Sequence, residues 1–354
     1  MRRGPVRISR AAGACAIAAG VAVALMSGCG EDDASGGEIR AIVRFGEVGR
    51  SPGQFSYPRG IDAGGGSLWI VDKLARIQRM DPVSGKGLGE WKMPVQELGR
   101  PTGVTVFDPD VKVEGDEIVF VADTHYHRVM AYHARAARPG GGIVSDADVY
   151  ASFGSFGDGD GQMVYPTDIA VEPTSDGKGI TRVFVSEYGG NDRISEWAMH
   201  APGAFTFVRA FGRFGDGAGE GLEFNRPQSI AIDAERGELI VSDACNHRLV
   251  RVRLSDATQA GVIGGPGTQA GKFKYPYGLV LLGDGTAMVA EFGNCRVQRV
   301  DLATGQSLGV WGKAGRGEGD LATPWGVAMV GEVVYVLDSG NNRVIGIERP
   351  RSRR

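Results

Sequence analysis

The sequence predicts an all-β fold made of six copies of one four-stranded unit. Three features recur in the same order: a proline before a short apolar segment, an acid that ends the second strand, and an arginine that opens the third. The prolines, called start prolines below, are Pro58, Pro101, Pro166, Pro227, Pro276 and Pro324. The acids are Asp72, Asp123, Glu187, Asp243, Glu291 and Asp338, and the arginines are Arg76, Arg128, Arg193, Arg248, Arg296 and Arg343. Chance does not give this agreement, so a long internal repeat organises the chain.

Residues 211–254 display one copy clearly. A glycine-rich loop leads to Pro227, and alternating apolar residues then predict strands at residues 229–232 and 238–242. A polar loop separates the second strand from the third, which is predicted at residues 249–254. No long helical periodicity competes with this pattern.

A fourth strand follows the third in five copies, as in residues 149–154, 205–212 and 307–312. The sixth copy lacks one, because the chain stops at Arg354 soon after its third strand. A matching segment lies upstream of the first copy, at residues 39–46. We therefore predict a six-bladed β-propeller of four-stranded blades, in which the N-terminal strand closes the last blade. Closure removes the open sheet edges of a linear array.

Two segments carry a family resemblance. Residues 243–249 have the form D-x-x-N-H-R followed by an apolar residue, and residues 271–279 have the form G-x-F-x-x-P-x-G followed by an apolar residue. Both resemble the NHL repeat, and the resemblance covers about residues 39–349. It implies a propeller fold. Because the family includes protein-binding, RNA-binding, sensor-type and enzymatic members, it does not by itself imply one function.

The N-terminus has the form of an export signal. Within residues 1–28, four arginines precede the apolar stretch at 11–26, which is shorter than the roughly 20 residues that a membrane span needs. The following Ser-Gly-Cys resembles a bacterial lipobox, in which Cys29 would be lipidated; the alternative is an ordinary signal cut nearby. We expect an exported lipoprotein of the bacterial cell envelope, held by its lipid at the outer membrane or cell surface.

The rest of the chain is predicted to divide simply. Residues 29–37 are acidic and glycine-rich and are expected to be a flexible tether. Residues 38–349 are the predicted propeller, and residues 350–354 are a basic, solvated tail. Without residues 1–28, which hold four arginines and no acid, the formal charge moves from −3 to −7. An acidic exported domain is a poor match for nucleic acid, whose phosphates bind Lys and Arg, so no nucleic-acid partner is predicted.

Chain direction predicts which face binds. If the first strand runs from one face to the other, the loops between second and third strands share a face with the linkers between blades. Aromatic side chains are favoured in binding surfaces, and Tyr277 and Trp325 should lie side by side at the channel mouth. Arg59, in the next blade around the ring, would add a contact to a carboxylate or carbonyl. The candidate ligand-binding residues are Arg59, Tyr126, Tyr188, Tyr277, Phe292 and Trp325.

The repeated acids and arginines are predicted to be structural, because charge-assisted bonds can brace each blade and catalysis rarely needs one residue six times. His127 and His247 directly precede two of these arginines, and a structural role is expected for both. A zinc site formed by these histidines with Cys295 is the alternative. Cys245 and Cys295 lie in equivalent loops, and the sequence leaves open whether they pair or are two small buried side chains.

The sequence thus favours a monomeric binding or scaffold module for a protein, peptide or glycan, without catalytic residues, metal or cofactor. The alternative is a metal-dependent hydrolase or lyase with its site in the central channel. In the zinc-dependent lyase of the family, histidines follow the start prolines. Here those positions hold none: they are Arg59, Thr102, Thr167, Gln228, Tyr277 and Trp325. Related calcium-dependent lactonase-type propellers use channel acids and amides, which here only Asp168 and Gln228 suggest.

Overall fold

The computed structural model describes residues 40–109, 115–217 and 221–350, which contain six antiparallel sheets of four strands each. Blade 1 comprises Pro58–Gly64, Ser67–Asp72, Arg76–Met80 and Gly87–Lys92; blade 2, Gly103–Phe107, Ile118–Asp123, Arg128–His133 and Val149–Phe153; blade 3, Pro166–Pro173, Ile180–Glu187, Arg193–Ala201 and Ala204–Phe211. Blade 4 comprises Pro227–Asp233, Glu238–Asp243, Arg248–Arg253 and Gln259–Gly264; blade 5, Pro276–Leu281, Thr286–Glu291, Arg296–Asp301 and Ser307–Trp311; blade 6, Pro324–Val330, Val333–Asp338, Arg343–Glu348 and Ala41–Phe45. The predicted six-bladed, all-β fold is confirmed.

Short elements connect these strands. Two-residue strands pair in the linker before blade 4, at Arg213–Phe214 and Glu223–Phe224. Single 3-10 turns lie at Thr124–Tyr126, Ala134–Ala136, Asp146–Asp148, Ala244–Asn246 and Ser339–Asn341. Within the described part of the chain, no helix has the length and apolar character of a membrane span.

The N-terminal strand closes the ring as predicted. Ala41–Phe45 pairs antiparallel with Arg343–Glu348, with Ala41 opposite Ile347 and Phe45 opposite Val344. The innermost strand of each blade contacts that of the next, and blade 6 contacts blade 1. The first and last strands of the described chain therefore belong to one sheet, which leaves no blade interface unpaired.

The core lies between neighbouring sheets rather than at one centre. Each of six clusters of buried apolar side chains draws on two adjacent blades. Between blades 1 and 2, the ring of Trp91 lies 5.9 Å from that of Trp69 and 5.4 Å from that of Tyr132. The Trp91–Tyr132 contact crosses from blade 1 to blade 2, so it stabilises a blade only when its neighbour is present and buries that face.

Glycine permits the innermost strands to approach one another. Two residues after the start proline, a Cβ on Gly60 would lie 2.8 Å from the carbonyl oxygen of Thr102, and one on Gly278 would lie 2.6 Å from the Cα of Gly326. Neither distance is compatible with a side chain. In blade 3 this position holds Asp168, whose side chain is considered below.

A buried carboxylate joins three parts of the blade in every blade but blade 2, as blade 4 illustrates. Asp243, which is not exposed to solvent, accepts bonds from Arg248 Nε at 2.7 Å, from Asn246 Nδ2 at 2.8 Å and from the backbone N–H of Asn225 at 2.6 Å. Arg248 in turn donates to the carbonyl of Glu223 at 2.8 Å. The pair therefore ties the loop between the second and third strands to the linker that leads into the same blade.

The same acid–arginine pair forms in all six blades, with N–O distances between 2.6 and 3.0 Å. Asparagine adds a second donor to the acid in blades 3 to 6, through Asn191, Asn246, Asn294 and Asn341. Charge-assisted bonds of this kind are short and strong, and here they fix the loops of one face.

We expect Asp243→Asn to lower the free energy of unfolding by about 3 kcal/mol, because loss of the carboxylate leaves the Arg248 charge without its buried partner. Urea unfolding followed by circular dichroism measures the change. Asp256→Asn is the matched control, since Asp256 caps an exposed turn and asparagine can make the same bonds to Thr258. Equal unfolding midpoints for the two variants would show that the pair does not brace the blade.

Candidate functional site at the mouth of the central channel

The innermost strands of all six blades line a central cavity of about 330 Å³. Its two halves differ in chemistry. Blades 1 to 4 contribute the polar lining residues Arg59, Asp62, Thr102, Thr105, Thr167, Asp168, Gln228 and Ser229. Blades 5 and 6 contribute Tyr277, Gly278, Leu279, Val280, Leu281, Trp325, Gly326 and Val327, none of which carries a charge at neutral pH. Blades 1 to 4 also contribute aliphatic lining residues such as Ile61, Val104 and Ile169, so the charged groups lie among apolar ones on that side, and the wall formed by blades 5 and 6 carries no charge.

Three of the predicted ligand residues form one aromatic group at the mouth. The ring of Tyr277 lies 5.0 Å from that of Trp325 and 4.7 Å from that of Phe292. Arg59 places its guanidinium carbon 5.9 Å from the centre of the Trp325 ring. Tyr277 is almost fully buried, whereas Phe292 and Trp325 are half-buried and reachable from solvent. The sequence therefore placed Tyr277, Trp325 and Arg59 together correctly.

Arg226 extends this group to Tyr188. Its guanidinium carbon lies 4.9 Å from the Tyr188 ring and 5.6 Å from the Tyr277 ring, distances at which a cation is attracted to the ring face. Its Nε also donates to Gln228 Oε1 at 3.2 Å. Tyr188, Arg226, Tyr277, Phe292, Trp325 and Arg59 are called the mouth group below.

Tyr126 does not join the mouth group. Its hydroxyl accepts a bond from the N–H of Leu98 and donates one to Glu97, and Arg128 lies over its ring. It lies in the same type of loop as Tyr188, but its described partners belong to blade 2 and to the linker before it. The structure gives it no part in the channel lining.

The residue before each start proline was missed by the sequence analysis. Tyr57, Tyr165, Arg226 and Tyr275 hold this position with φ between 45° and 59°, a conformation that costs a side-chain-bearing residue about 1–2 kcal/mol. Tyr57 lies 5.9 Å from Trp325, and Tyr165 stacks 5.3 Å from Tyr188. One signal in the sequence could have revealed this position. The residue directly before the start proline is large in five of the six copies, although glycine would adopt the same conformation without strain.

These residues also connect neighbouring blades, through their backbone N–H groups. Tyr165 donates to His127 Nδ1 at 3.2 Å, and Tyr275 donates to His247 Nδ1 at 3.0 Å. Asn342 accepts the same bond from Tyr57 at 2.7 Å. Burial lowers the pKa of both imidazoles, which favours the neutral form that can accept these bonds. The geometry gives both histidines a structural task.

Two carboxylates line the polar half of the channel. Asp62 accepts the N–H of Val106 at 2.7 Å, and Asp168 accepts the N–H of Ile230 at 3.0 Å, so each joins its blade to the next. Burial raises the pKa of Asp62 to about 6 and that of Asp168 to about 7, because the bonds they accept offset desolvation only in part. Sequence reasoning noted Asp168 but not Asp62, which the repeat pattern does not mark.

The alternative metal sites find little geometric support. In residues 40–109, 115–217 and 221–350, no three His, Cys, Asp or Glu side chains are grouped as metal ligands. Cys245 is half-buried and Cys295 is buried, and the two are not joined to each other. Cys29, residues 1–28, the tether at residues 29–37 and the tail beyond Pro350 lie outside the described residues.

We expect Asp168→Asn to stabilise the propeller above neutral pH. A raised pKa means that the folded state holds the proton more tightly than the unfolded state, so the free energy of unfolding falls as pH rises from 3.8 to about 7. Asparagine still accepts the bond from Ile230 but carries no charge. Urea unfolding should show the variant about 1–2 kcal/mol more stable than the wild type at pH 8, allowing for screening by channel water, and no more stable at pH 4.

The control for that comparison is Asp146→Asn, because Asp146 is exposed on a surface turn. A gain at pH 8 in both variants would indicate a general effect of negative charge. A variant no more stable than the wild type at pH 8 would show that the Asp168 carboxylate is not destabilised in the channel.

Comparison with known proteins agrees with this architecture. Residues 224–251 match the model of the NHL repeat family. No curated protein sequence matches the chain. Among solved structures, a protein of unknown function from Bacteroides thetaiotaomicron is similar with a TM-score of 0.60 at 13% identity, over 88% of this chain and 75% of that one.

Two further solved structures are similar at the level of the fold. Virginiamycin B lyase from Staphylococcus aureus has a TM-score of 0.52 at 13% identity, over 86% of this chain and 98% of that one. A chain of the nidogen/laminin complex has a TM-score of 0.53 at 15% identity, over 80% of this chain and 89% of that one. With six blades, the repeated acid–arginine pair and the matching segment in blade 4, the chain is a six-bladed β-propeller that contains an NHL repeat at residues 224–251.

Proposed function

We propose that the chain is a binding module and that a protein, peptide or glycan ligand docks on the mouth group. The observation that carries this proposal is the meeting of aromatic rings and two arginines at the open end of the channel. Aromatic side chains and arginine are the residues most enriched where binding energy concentrates. The braced loops hold these side chains in place before a ligand arrives, which lowers the entropy cost of binding.

Binding is preferred to catalysis on the chemistry of the mouth. The mouth group offers cation–ring and ring–ring contacts, and no hydrogen-bonded pair of nucleophile and base occurs among its residues. The fold-level similarity to a lyase leaves the chemistry of this channel open, because the same propeller supports unrelated functions. The similarity to a chain from a protein–protein complex supports a binding role only at the same level.

We expect Trp325→Ala to weaken ligand binding at least about tenfold, since truncation of a central aromatic residue removes a large share of the binding energy. The full chain, in detergent, is applied to peptide and glycan arrays, and affinities for the bound probes are then measured by calorimetry. Phe214→Ala is the matched control, because Phe214 is 54% exposed in the linker before blade 4, outside the mouth group.

Phe292→Ala serves as a second test variant if Trp325→Ala unfolds at a lower temperature than the wild type. Unchanged binding by both mouth variants, or an equal loss in Phe214→Ala, would contradict the proposed site.

We further propose that the propeller is a lipoprotein of the cell envelope, anchored through Cys29. The support is the charged start, the short apolar stretch and the Ser-Gly-Cys sequence at residues 27–29. A lipid at this position would hold the propeller at the membrane through the glycine-rich tether.

We expect Cys29→Ala to move the protein from the membrane fraction to the soluble fraction, because it removes the only group that would carry the lipid. Immunoblots of separated fractions measure the change. Cys15→Ala is the control, since Cys15 lies within the apolar stretch of the signal. Retention of Cys29→Ala in the membrane fraction would contradict lipid anchoring at this residue.

A further inference from the structure

We propose that the mouth group binds a carboxylate that a peptide carries beside an apolar or aromatic side chain, with Arg59 as the residue that recognises the charge. The proposal rests on the proposed function, and it names the chemistry of the ligand. The carboxylate can lie at the end of a peptide or on an acidic side chain, and the experiment below separates these sources.

Arg59 differs from the six repeat arginines in its ion pairing. Each of the six repeat arginines has a buried acid within 3.0 Å. Arg59 has no ion pair with any described residue, and its Nε is buried without a hydrogen-bond partner. Arg59 is half-buried, and a guanidinium that loses part of its hydration without gaining a counter-charge is costly to fold, so an anion would complete the site.

The surroundings of Arg59 add positive charge rather than compensating for it. Burial lowers the pKa of its guanidinium; Tyr57 and Tyr188 offset part of this shift, and the nearby guanidiniums of Arg226 and Arg100 lower the pKa further. Arg226 contributes from the opposite side of the mouth, where it lies over Tyr188 and Tyr277. An anion placed between Arg59 and Arg226 would relieve this repulsion and gain charge-assisted bonds.

A carboxylate suits this arrangement because the planar guanidinium fork matches its two oxygens. The apolar wall of blades 5 and 6 begins at Tyr277 and Trp325, directly beside the arginines. A ligand that fills both must therefore join an acid to an apolar body within a short distance. A peptide with an acidic group next to an aromatic residue has this form, whereas a sugar acid lacks the apolar part.

The size of the channel and the position of its acids limit how deep the charge can lie. A volume of about 330 Å³ is near the lower end of the range for ligand sites, roughly 300–1,000 Å³, so a side chain or chain end fits better than a folded surface. Asp62 and Asp168 line the channel below the mouth and would repel an anion there. The carboxylate is therefore held at the mouth and the apolar group extends inward.

The test uses the full chain and three acetylated hexapeptides that each contain phenylalanine. The first ends in phenylalanine with a free carboxylate, the second has the same sequence as an amide, and the third is an amide with an internal glutamate beside phenylalanine. Calorimetry should show at least one carboxylate peptide binding about tenfold or more tighter than the uncharged amide, as expected for a hydrogen bond to a charged group.

Arg59→Gln should remove this preference, so that the carboxylate peptides bind no more tightly than the uncharged amide peptide does. Arg253→Gln is the matched control, because Arg253 is exposed and bonds to Thr258 and Gln259 in a turn of blade 4. Which of the two carboxylate peptides binds more tightly identifies the chain end or the side chain as the source.

Each remaining outcome overturns a distinct claim. Equal binding of all three peptides that is lost in Trp325→Ala would overturn the carboxylate inference and leave the binding site in place. An equal loss of affinity for the carboxylate peptides in Arg59→Gln and Arg253→Gln would show that the effect comes from overall positive charge and not from Arg59. If oligomeric uronic acids bind in an Arg59-dependent way and no peptide binds, the claim that the ligand is a peptide is overturned. Binding that is insensitive to Trp325→Ala would overturn the proposed function itself.

Discussion

The propeller depends on one repeated interaction, the buried acid–arginine pair that ties the loop after the second strand to the linker before the first. In blade 5, Glu291 accepts a bond from Arg296 at 2.6 Å, and Arg296 donates to the carbonyls of Thr268, Gln269 and Lys272. Short parallel pairings within the linkers, such as Val48 with Phe55 and Arg213–Phe214 with Glu223–Phe224, add to this bracing. The pair recurs in every blade, and in all but blade 2 its described bonds also reach the linker. One face of the molecule is therefore built largely from braced loops, and side chains on that face keep their positions.

The residues that vary from blade to blade lie beside this constant frame. Positions on either side of the start proline carry Tyr57 and Arg59 in blade 1, Arg226 and Gln228 in blade 4, and Trp325 in blade 6. All project from the start of an innermost strand, where six strands converge on one axis. A repeated scaffold thus presents a set of unlike side chains at one mouth. This division explains how Arg76 can be structural while Arg59, also an arginine of blade 1, has no acid partner.

The channel below the mouth is asymmetric for a related reason. In blades 1 to 3, side chains such as Asp62, Thr105 and Asp168 bond to the backbone of the next innermost strand. In blades 5 and 6, the lining residues that follow the aromatic rings are glycine or aliphatic, such as Gly278, Leu279 and Val327. Polar bridges therefore line one half and aromatic or aliphatic groups the other. Burial disfavours the charged forms of Asp62 and Asp168, and both acids lie on the side of the channel that faces the apolar wall.

Sequence alone determined the architecture, the strand ends at each acid and arginine, and the closure by residues 39–46, because these follow from a local pattern repeated six times. It also placed Tyr277 beside Trp325, since ring order makes equivalent positions of adjacent blades neighbours. It did not find Tyr57, Tyr165 and Arg226, and it grouped Tyr126 with residues that it does not touch. Only the tertiary structure decided those contacts. They join residues distant in sequence, such as Tyr57 and Asn342, 285 positions apart, and depend on how each side chain leaves its loop rather than on its place in the repeat.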